Sequence, residues 1–140
     1  MEVKFLQKVM AYLLLVISIL TITGSCLAFS STRNSENIEF LNSYGWEVEE
    51  NPLEKVSITI PETFDDVYNN YNILQKEAGL DLSEYRGKSA IRYTYSVLNY
   101  PKEVENEVRA NIIVVDNIPI AGDIMTTSIS GFMHSLCYPQ

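Results

Sequence analysis

Few side chains in this chain have the chemistry for metal binding or hydrolysis. His134 is the only histidine, and Cys137 lies three residues after it. With Asp123 these two could hold a metal ion, but a lone histidine cannot build the two- or three-histidine sites of catalytic zinc. Ser135 beside His134 forms no hydrolytic pair, because a nucleophile needs a base that reaches it across a cleft. The sequence therefore predicts no metal, no cofactor and no catalytic triad.

Acidic side chains offer a second kind of chemistry. Three glutamates alternate along the chain at Glu103, Glu105 and Glu107. Calcium needs six or more converging oxygens, so we interpret this run as a solvated strand edge that opposes sheet-to-sheet association. A hydrolase that works with paired carboxylates stays open as an alternative function. Its candidate residues are Glu62, Asp65 and Asp123.

Tyrosines and arginines supply the candidate binding residues. Tyr93 and Tyr95 alternate with Arg92 in a run typical of a strand, and Arg109 lies in the next such run. Core packing accounts for the tyrosine rings, since they belong to the inner side of the strand. A second interpretation stays open. If the helices leave part of the sheet uncovered, the rings line a groove for a peptide or glycan, with Arg92 and Arg109 beside it.

Hydrophobic periodicity predicts the strands that position these residues. Period-two alternation predicts strands at residues 56–60 and 91–97. A third strand is expected over residues 108–115, where the last four positions are all apolar and therefore buried on both faces. The next strand runs to about residue 127.

A two-residue turn joins the last two predicted strands. Asp116 and Asn117 tolerate the positive φ angles of a type I′ hairpin. That turn fixes the register and places Val114 opposite Pro119. Because proline cannot donate to a neighbouring strand, the start of the last strand is predicted to be a sheet edge.

Two helices are predicted from their start and stop residues. Ser35 is the expected N-cap of the first, which ends before Gly45 and packs with Trp46. Thr63 is the expected N-cap of the second, which ends before Gly79. The second helix has an apolar stripe at Phe64, Val67, Tyr68, Tyr71, Leu74 and Ala78, and it turns Asn69, Asn70, Asn72 and Glu77 toward water.

These elements predict an α+β fold over residues 36–136, with a spacer at 30–35 and a tail at 137–140. The economical arrangement is a two-layer sandwich in which a mostly antiparallel four-stranded sheet carries both helices on one face. Each element then covers its single apolar side.

Residues 1–29 are predicted to be a transmembrane anchor or signal segment. No charged side chain occurs in residues 9–29, and Lys4 and Lys8 precede them. As a helix those residues rise about 31 Å, enough to cross a bilayer, and the lysines favour a cytoplasmic N-terminus. Three fates stay open: a retained anchor, a cleaved signal, and a lipoprotein signal that is lipidated at Cys26. Each places the rest of the chain outside the cytoplasm.

Charge restricts the possible partners. After residue 29 the chain has eight basic and seventeen acidic side chains, a formal charge of −9. A duplex-binding domain needs a basic face, so nucleic acid is excluded as a partner. Anionic lipid headgroups repel an acidic surface, which leaves membrane contact to residues 9–29. Cys137 is a free thiol or an intermolecular bridge.

Several short motifs resemble those of one bacterial family. They are Phe40-Leu41-x-x-Tyr-Gly-Trp46, Ile58-x-Ile-Pro61-x-x-Phe64, Tyr71-Asn72-x-Leu74-Gln75-Lys76-x-x-Gly79, Gly122-Asp123 and Gly131-Phe132-Met133-His134. Over residues 36–136 the chain is similar to the domain of unknown function 4830 family, found mainly in Firmicutes behind an N-terminal membrane segment. The resemblance implies a topology and a host class. It assigns no activity, so it implies no functional residue.

The lack of a catalytic constellation favours a non-enzymatic function. We expect a membrane-tethered extracytoplasmic domain, a binding or regulatory module for a protein or peptide of the bacterial cell envelope. The alternatives are the carboxylate hydrolase and a peptide- or glycan-sensing module with a tyrosine-lined groove at Tyr93, Tyr95, Arg92 and Arg109.

Overall fold

The computed structural model describes residues 33–104, 106–128 and 130–139. The chain divides into two units, Met1–Ser35 and Glu36–Gln140. The segment 9–29 and Cys26 lie outside the described residues, so their predicted fates stay predictions. Among the described residues, no helix has the length and apolar character to cross a bilayer.

The second unit is built on a five-stranded antiparallel sheet in the order β1-β2-β3-β4-β5. The strands are β1 Glu54–Thr59, β2 Ser89–Ser96, β3 Val108–Val115, β4 Ile118–Thr126 and β5 Met133–His134. Strands that are consecutive in sequence are neighbours in the sheet. The prediction of four strands was wrong by one, because the two residues of β5 are too few to show an alternating pattern.

The hairpin between β3 and β4 has the predicted geometry. Asp116 and Asn117 have φ angles of 48° and 71°, and Val114 pairs with Pro119. The register shifts before the next pair, so Ile120 is the extra residue of a bulge. Among the described residues β5 pairs only with the second half of β4, which confirms that the start of β4 is a sheet edge.

Both helices begin at other residues than predicted. The described part of α1 covers residues 33–43, so Ser35 lies inside this helix and is not its N-cap. The second helix, α2, covers Asp66–Glu77, and its N-cap is Asp65 rather than Thr63. The Asp65 carboxylate accepts a hydrogen bond from the backbone N–H three residues on, at 2.9 Å. Aspartate satisfies that N–H group and also suits the positive end of the helix dipole.

Both helices end at the predicted glycines. Gly45 and Gly79 have φ angles of 92° and 77°, which a residue without Cβ adopts at little cost. The N–H of Trp46 donates to the carbonyl of Leu41 at 3.2 Å, as in a Schellman motif. The chain therefore turns back beneath α1 and buries the indole of Trp46 completely. A short 3₁₀ turn, Leu82–Tyr85, follows α2.

The two helices lie on opposite faces of the sheet, so the prediction of both on one face was wrong. One apolar cluster joins α1 and Trp46 to Tyr93, Tyr95, Ile112 and Ile124. The other joins Phe64, Leu82 and the inner rings of α2 to Ala90, Ile113, Val115 and Ala121. Neighbouring residues of a strand point to opposite faces. Because residues 112–115 are all apolar, both faces of the sheet must be covered there.

The inner surface of α2 is more polar than predicted. Val67 is exposed and Asn72 is buried, the reverse of the prediction for each. The Asn72 amide donates to Asp81 at 2.8 Å and accepts from the N–H of Leu82 at 2.7 Å. Asn72 is buried because it ties α2 to the 3₁₀ turn, a role that a hydrophobic stripe does not reveal.

Candidate functional site

A row of buried polar side chains crosses the centre of the sheet on the face that α2 partly covers. Thr94 of β2, Asn111 of β3 and Asp123 of β4 lie opposite one another in register. The Thr94 hydroxyl donates to Asn111 Oδ1 at 2.7 Å, and Asn111 Nδ2 donates to Asp123 Oδ2 at 2.9 Å. All three side chains are buried, and each has a partner, as buried polar groups require.

Asp123 at the end of this row is also bound by α2. The Tyr71 hydroxyl donates to Asp123 Oδ1 at 2.7 Å. Burial raises the pKa of the Asp123 carboxyl, and the hydrogen bonds from Asn111 and Tyr71 offset part of that rise. Burial also raises the pKa of Tyr71 well above its usual value, and the neighbouring Asp123 charge adds to the effect. Tyr71 therefore keeps its proton and serves as a donor.

Two arginines stand on the same face, one on each side of the row. Arg92 is two residues from Thr94 on β2, and Arg109 is two residues from Asn111 on β3, so both side chains share their neighbours' face. Their side chains are 42% and 35% exposed. We call Arg92, Thr94, Arg109, Asn111 and Asp123 the polar face.

Each arginine forms one ion pair through one nitrogen. Arg92 Nη2 donates to Glu54 Oε2 at 2.8 Å, and Arg109 Nη2 donates to Glu107 Oε2 at 3.0 Å. The Nε atom of each arginine is buried and has no hydrogen-bond partner in the described part of the chain. Each guanidinium therefore has one buried donor without a partner beside the donor that forms its ion pair.

The structure does not bring the four predicted ligand residues together. Tyr93 and Tyr95 are 4% and 0% exposed and lie in the α1 cluster on the opposite face. The Asn37 amide donates to the Tyr95 hydroxyl at 3.1 Å, and burial raises the pKa of Tyr95 to about 12. The tyrosine and arginine side chains point to opposite faces of the sheet. Arg92 and Arg109 therefore remain as candidate binding residues, and the tyrosine rings belong to the core.

The carboxylates proposed for hydrolysis have separate surroundings. Asp65 caps α2, Glu62 is exposed beside Gly87, and both oxygens of Asp123 accept hydrogen bonds. Glu103 is exposed and outside any strand, and Glu107 precedes β3, so these two do not share a strand face. Glu105 lies outside the described residues.

The residues considered for metal binding have other contacts. His134 Nδ1 lies 2.7 Å from the Ser135 carbonyl oxygen, and its ring stacks on Phe132 at 5.5 Å. The Cys137 thiol is exposed and donates to the carbonyl of Glu77 at 3.3 Å. Within the described ranges, no group of three histidine, cysteine or acidic side chains is arranged to hold a metal ion.

Sequence reasoning missed the polar row and the contact that secures β4. Gln75 of α2 is fully buried, and its Oε1 accepts from the N–H of Gly122 at 2.7 Å. The helix thus supplies an acceptor where the edge of β4 lacks a strand partner. One signal was readable in the sequence: Thr94 and Asn111 are polar residues inside strands whose neighbouring residues are apolar. Such residues point to a buried hydrogen-bond network.

A family model described as Domain of unknown function (DUF4830) matches residues 40–124. The matched range runs from α1 into β4 and contains the whole polar face; β5 lies beyond it. No curated protein and no solved structure matches the chain.

Proposed function

We propose that this chain, which belongs to the DUF4830 family, is a non-enzymatic binding module. That family is described without an activity. The module recognises a protein or peptide partner through the polar face. The observation that carries the proposal is the pair of partly exposed guanidiniums, Arg92 and Arg109, held on one face on either side of a buried polar row. Arginine is enriched at binding hot spots together with tryptophan and tyrosine, and its planar guanidinium suits ion pairs at interfaces.

The buried row supports binding better than catalysis. Both oxygens of Asp123 accept hydrogen bonds, and Tyr71 holds its proton. A general base must lie within reach of a substrate, and Asp123 is 2% exposed. The row instead links three strands and α2 through side-chain hydrogen bonds, which fixes the surface from which the arginines project.

The location of this module is part of the proposal. We place it outside the cytoplasm of a bacterial cell, behind residues 9–29, because that segment carries no charge and follows Lys4 and Lys8. Attachment or export could take three forms: a retained helix, a cleaved signal, or lipidation at Cys26. Protease added to cells with a permeable outer layer and an intact cytoplasmic membrane should degrade the domain. Protection until the membrane is lysed would contradict this placement.

The binding proposal is tested by photocrosslinking in intact cells. A benzophenone side chain replaces Met133, which is 47% exposed and pairs with Met125 at the rim of the polar face. The matched control places the same group at Ile118, which is 61% exposed at the far end of β4. Both variants carry the full chain.

We expect an adduct of defined mass from position 133 and none from position 118. The adduct should disappear when Arg92→Gln and Arg109→Gln are added, because these changes remove the charges and keep the approximate side-chain shape. Equal adducts from both positions, or an adduct that persists in the double variant, would contradict a binding role for this face.

A further inference from the structure

The glutamates that pair with the two arginines are themselves largely exposed. Glu54 and Glu107 are 52% and 42% exposed at the side chain. Exposed ion pairs contribute little, because water screens the charges and two long side chains lose freedom. A ligand carboxylate can therefore replace either glutamate at low cost.

A replacing carboxylate has more to gain than the glutamate has. Glu54 accepts a bond from one Nη2 of Arg92, and Glu107 accepts one from Nη2 of Arg109 and one from the Ser96 side chain. In both arginines the adjacent Nε is buried and lacks a partner among the described residues. Nε and Nη2 of an arginine form a fork that matches the two oxygens of a carboxylate. Once the glutamate leaves, the guanidinium can turn and present both donors to one ligand group.

The spacing of the arginines sets the length of the ligand. Arg92 lies opposite Ile113, and Arg109 is four residues before Ile113 on β3. Four residues of a strand rise about 13 Å. An extended peptide that runs along the strands repeats its side chains on one face every second residue, so residues i and i+4 have the same separation. Two carboxylates at i and i+4 therefore match the two arginines.

We infer that the polar face binds an extended peptide that carries two carboxylate side chains four residues apart, and that Glu54 and Glu107 occupy Arg92 and Arg109 when the peptide is absent. This inference rests on the proposed function. The formal charge of −9 after residue 29 opposes polyanions such as nucleic acid or an anionic membrane.

The test is fluorescence anisotropy with the full chain in nanodiscs of a zwitterionic lipid. The probe is a labelled seven-residue peptide with glutamates at its second and sixth positions and threonine, valine and glycine elsewhere. A peptide of the same composition has its glutamates at the second and fourth positions. A third peptide has glutamine in place of both glutamates.

The i, i+4 peptide should bind about tenfold more tightly than either comparator, since only it can engage both forks. Arg92→Gln and Arg109→Gln should each weaken binding about tenfold, and Arg92→Lys should recover part of the loss because it restores charge without the fork. Glu54→Gln should strengthen peptide binding about threefold, because an uncharged glutamine competes less well than glutamate for the Arg92 guanidinium. Thermal unfolding followed by Trp46 fluorescence checks that each variant is folded.

Equal affinity for the three peptides, no binding of any of them, or weaker binding by Glu54→Gln would overturn the inference. These outcomes are separate from failure of the proposed function. If the crosslink at position 133 persists and still depends on the arginines, the face binds a partner of different chemistry.

Discussion

Replacing Tyr71 with phenylalanine isolates the single hydrogen bond that α2 makes to the buried carboxylate. The change removes the hydroxyl that donates to Asp123 Oδ1 at 2.7 Å and keeps the ring. A hydrogen bond to a charged group contributes about 1.5–3 kcal/mol. We therefore expect the free energy of unfolding at pH 7 to fall by about 2 kcal/mol, and Tm to fall by roughly 10 °C for a domain of this size.

The loss should depend on pH, with a sign that follows from Asp123. Burial has raised the folded-state pKa of this carboxyl above its unfolded value, so its ionised form opposes folding. That penalty is absent below the unfolded pKa of about 3.9, grows as pH rises toward the folded pKa, and is constant above it. Tyr71→Phe removes a donor that favours the ionised form, so the gap between wild type and variant should widen as pH rises.

Urea unfolding from pH 3.5 to pH 8, followed by the fluorescence of the buried Trp46, measures this gap. Tyr68→Phe is the matched control, since Tyr68 lies on the same helix and its ring packs against the same apolar cluster as that of Tyr71. At the acid end the gap should shrink to about 1 kcal/mol, the contribution of a neutral hydrogen bond. A gap that is constant with pH, or equal losses for the two variants, would refute the reasoning.

Three further variants test the packing around the same face. Gln75→Met should lower the free energy of unfolding by about 1–3 kcal/mol, because the buried N–H of Gly122 loses its acceptor; a loss under 0.5 kcal/mol would show that water replaces the amide. Gly122→Ala should lower the free energy of unfolding by about 3 kcal/mol, since its Cβ would lie 2.7 Å from a β3 carbonyl oxygen. The Cβ of Gly79→Ala meets no atom within 4 Å, so this variant should lose only about 1 kcal/mol, because of its positive φ. The reverse order of the two losses in thermal melts would contradict this. The double change Arg92→Gln and Arg109→Gln should alter the free energy of unfolding by less than about 1 kcal/mol, because the ion pairs that it removes are exposed. A larger loss in urea titration would show that these arginines stabilise the fold.

Local rules of the chain predicted the parts of the fold that short-range geometry determines. The β3–β4 hairpin was correct to the residue pair, because only a few residue types accept positive φ at both turn positions. The helix ends at Gly45 and Gly79 were correct for the same reason. The helix starts failed because several neighbouring residues can cap, and only the tertiary structure selects Asp65 over Thr63.

The alternation of side chains between the two faces of a strand explains the errors at the candidate site. Tyr93 and Arg92 are adjacent, so they cannot line one groove, and this follows from period two alone. The full apolar run at 112–115 already required two covered faces. The Tyr71–Asp123 and Gln75–Gly122 bonds join residues about 50 positions apart. No local pattern encodes such contacts.

The measurement that tests the binding claim most directly is a ¹⁵N NMR titration that observes the arginine Nε–H and tryptophan Nε1–H signals together. The chain has four arginines and one tryptophan, and Trp46 Nε1 is buried in a hydrogen bond to the Leu136 carbonyl on the other face. On adding the i, i+4 peptide, the Nε–H signals of Arg92 and Arg109 should shift together while those of Arg86 and Trp46 stay in place. Shifts at Arg86 or Trp46 without any at Arg92 and Arg109 would contradict the account.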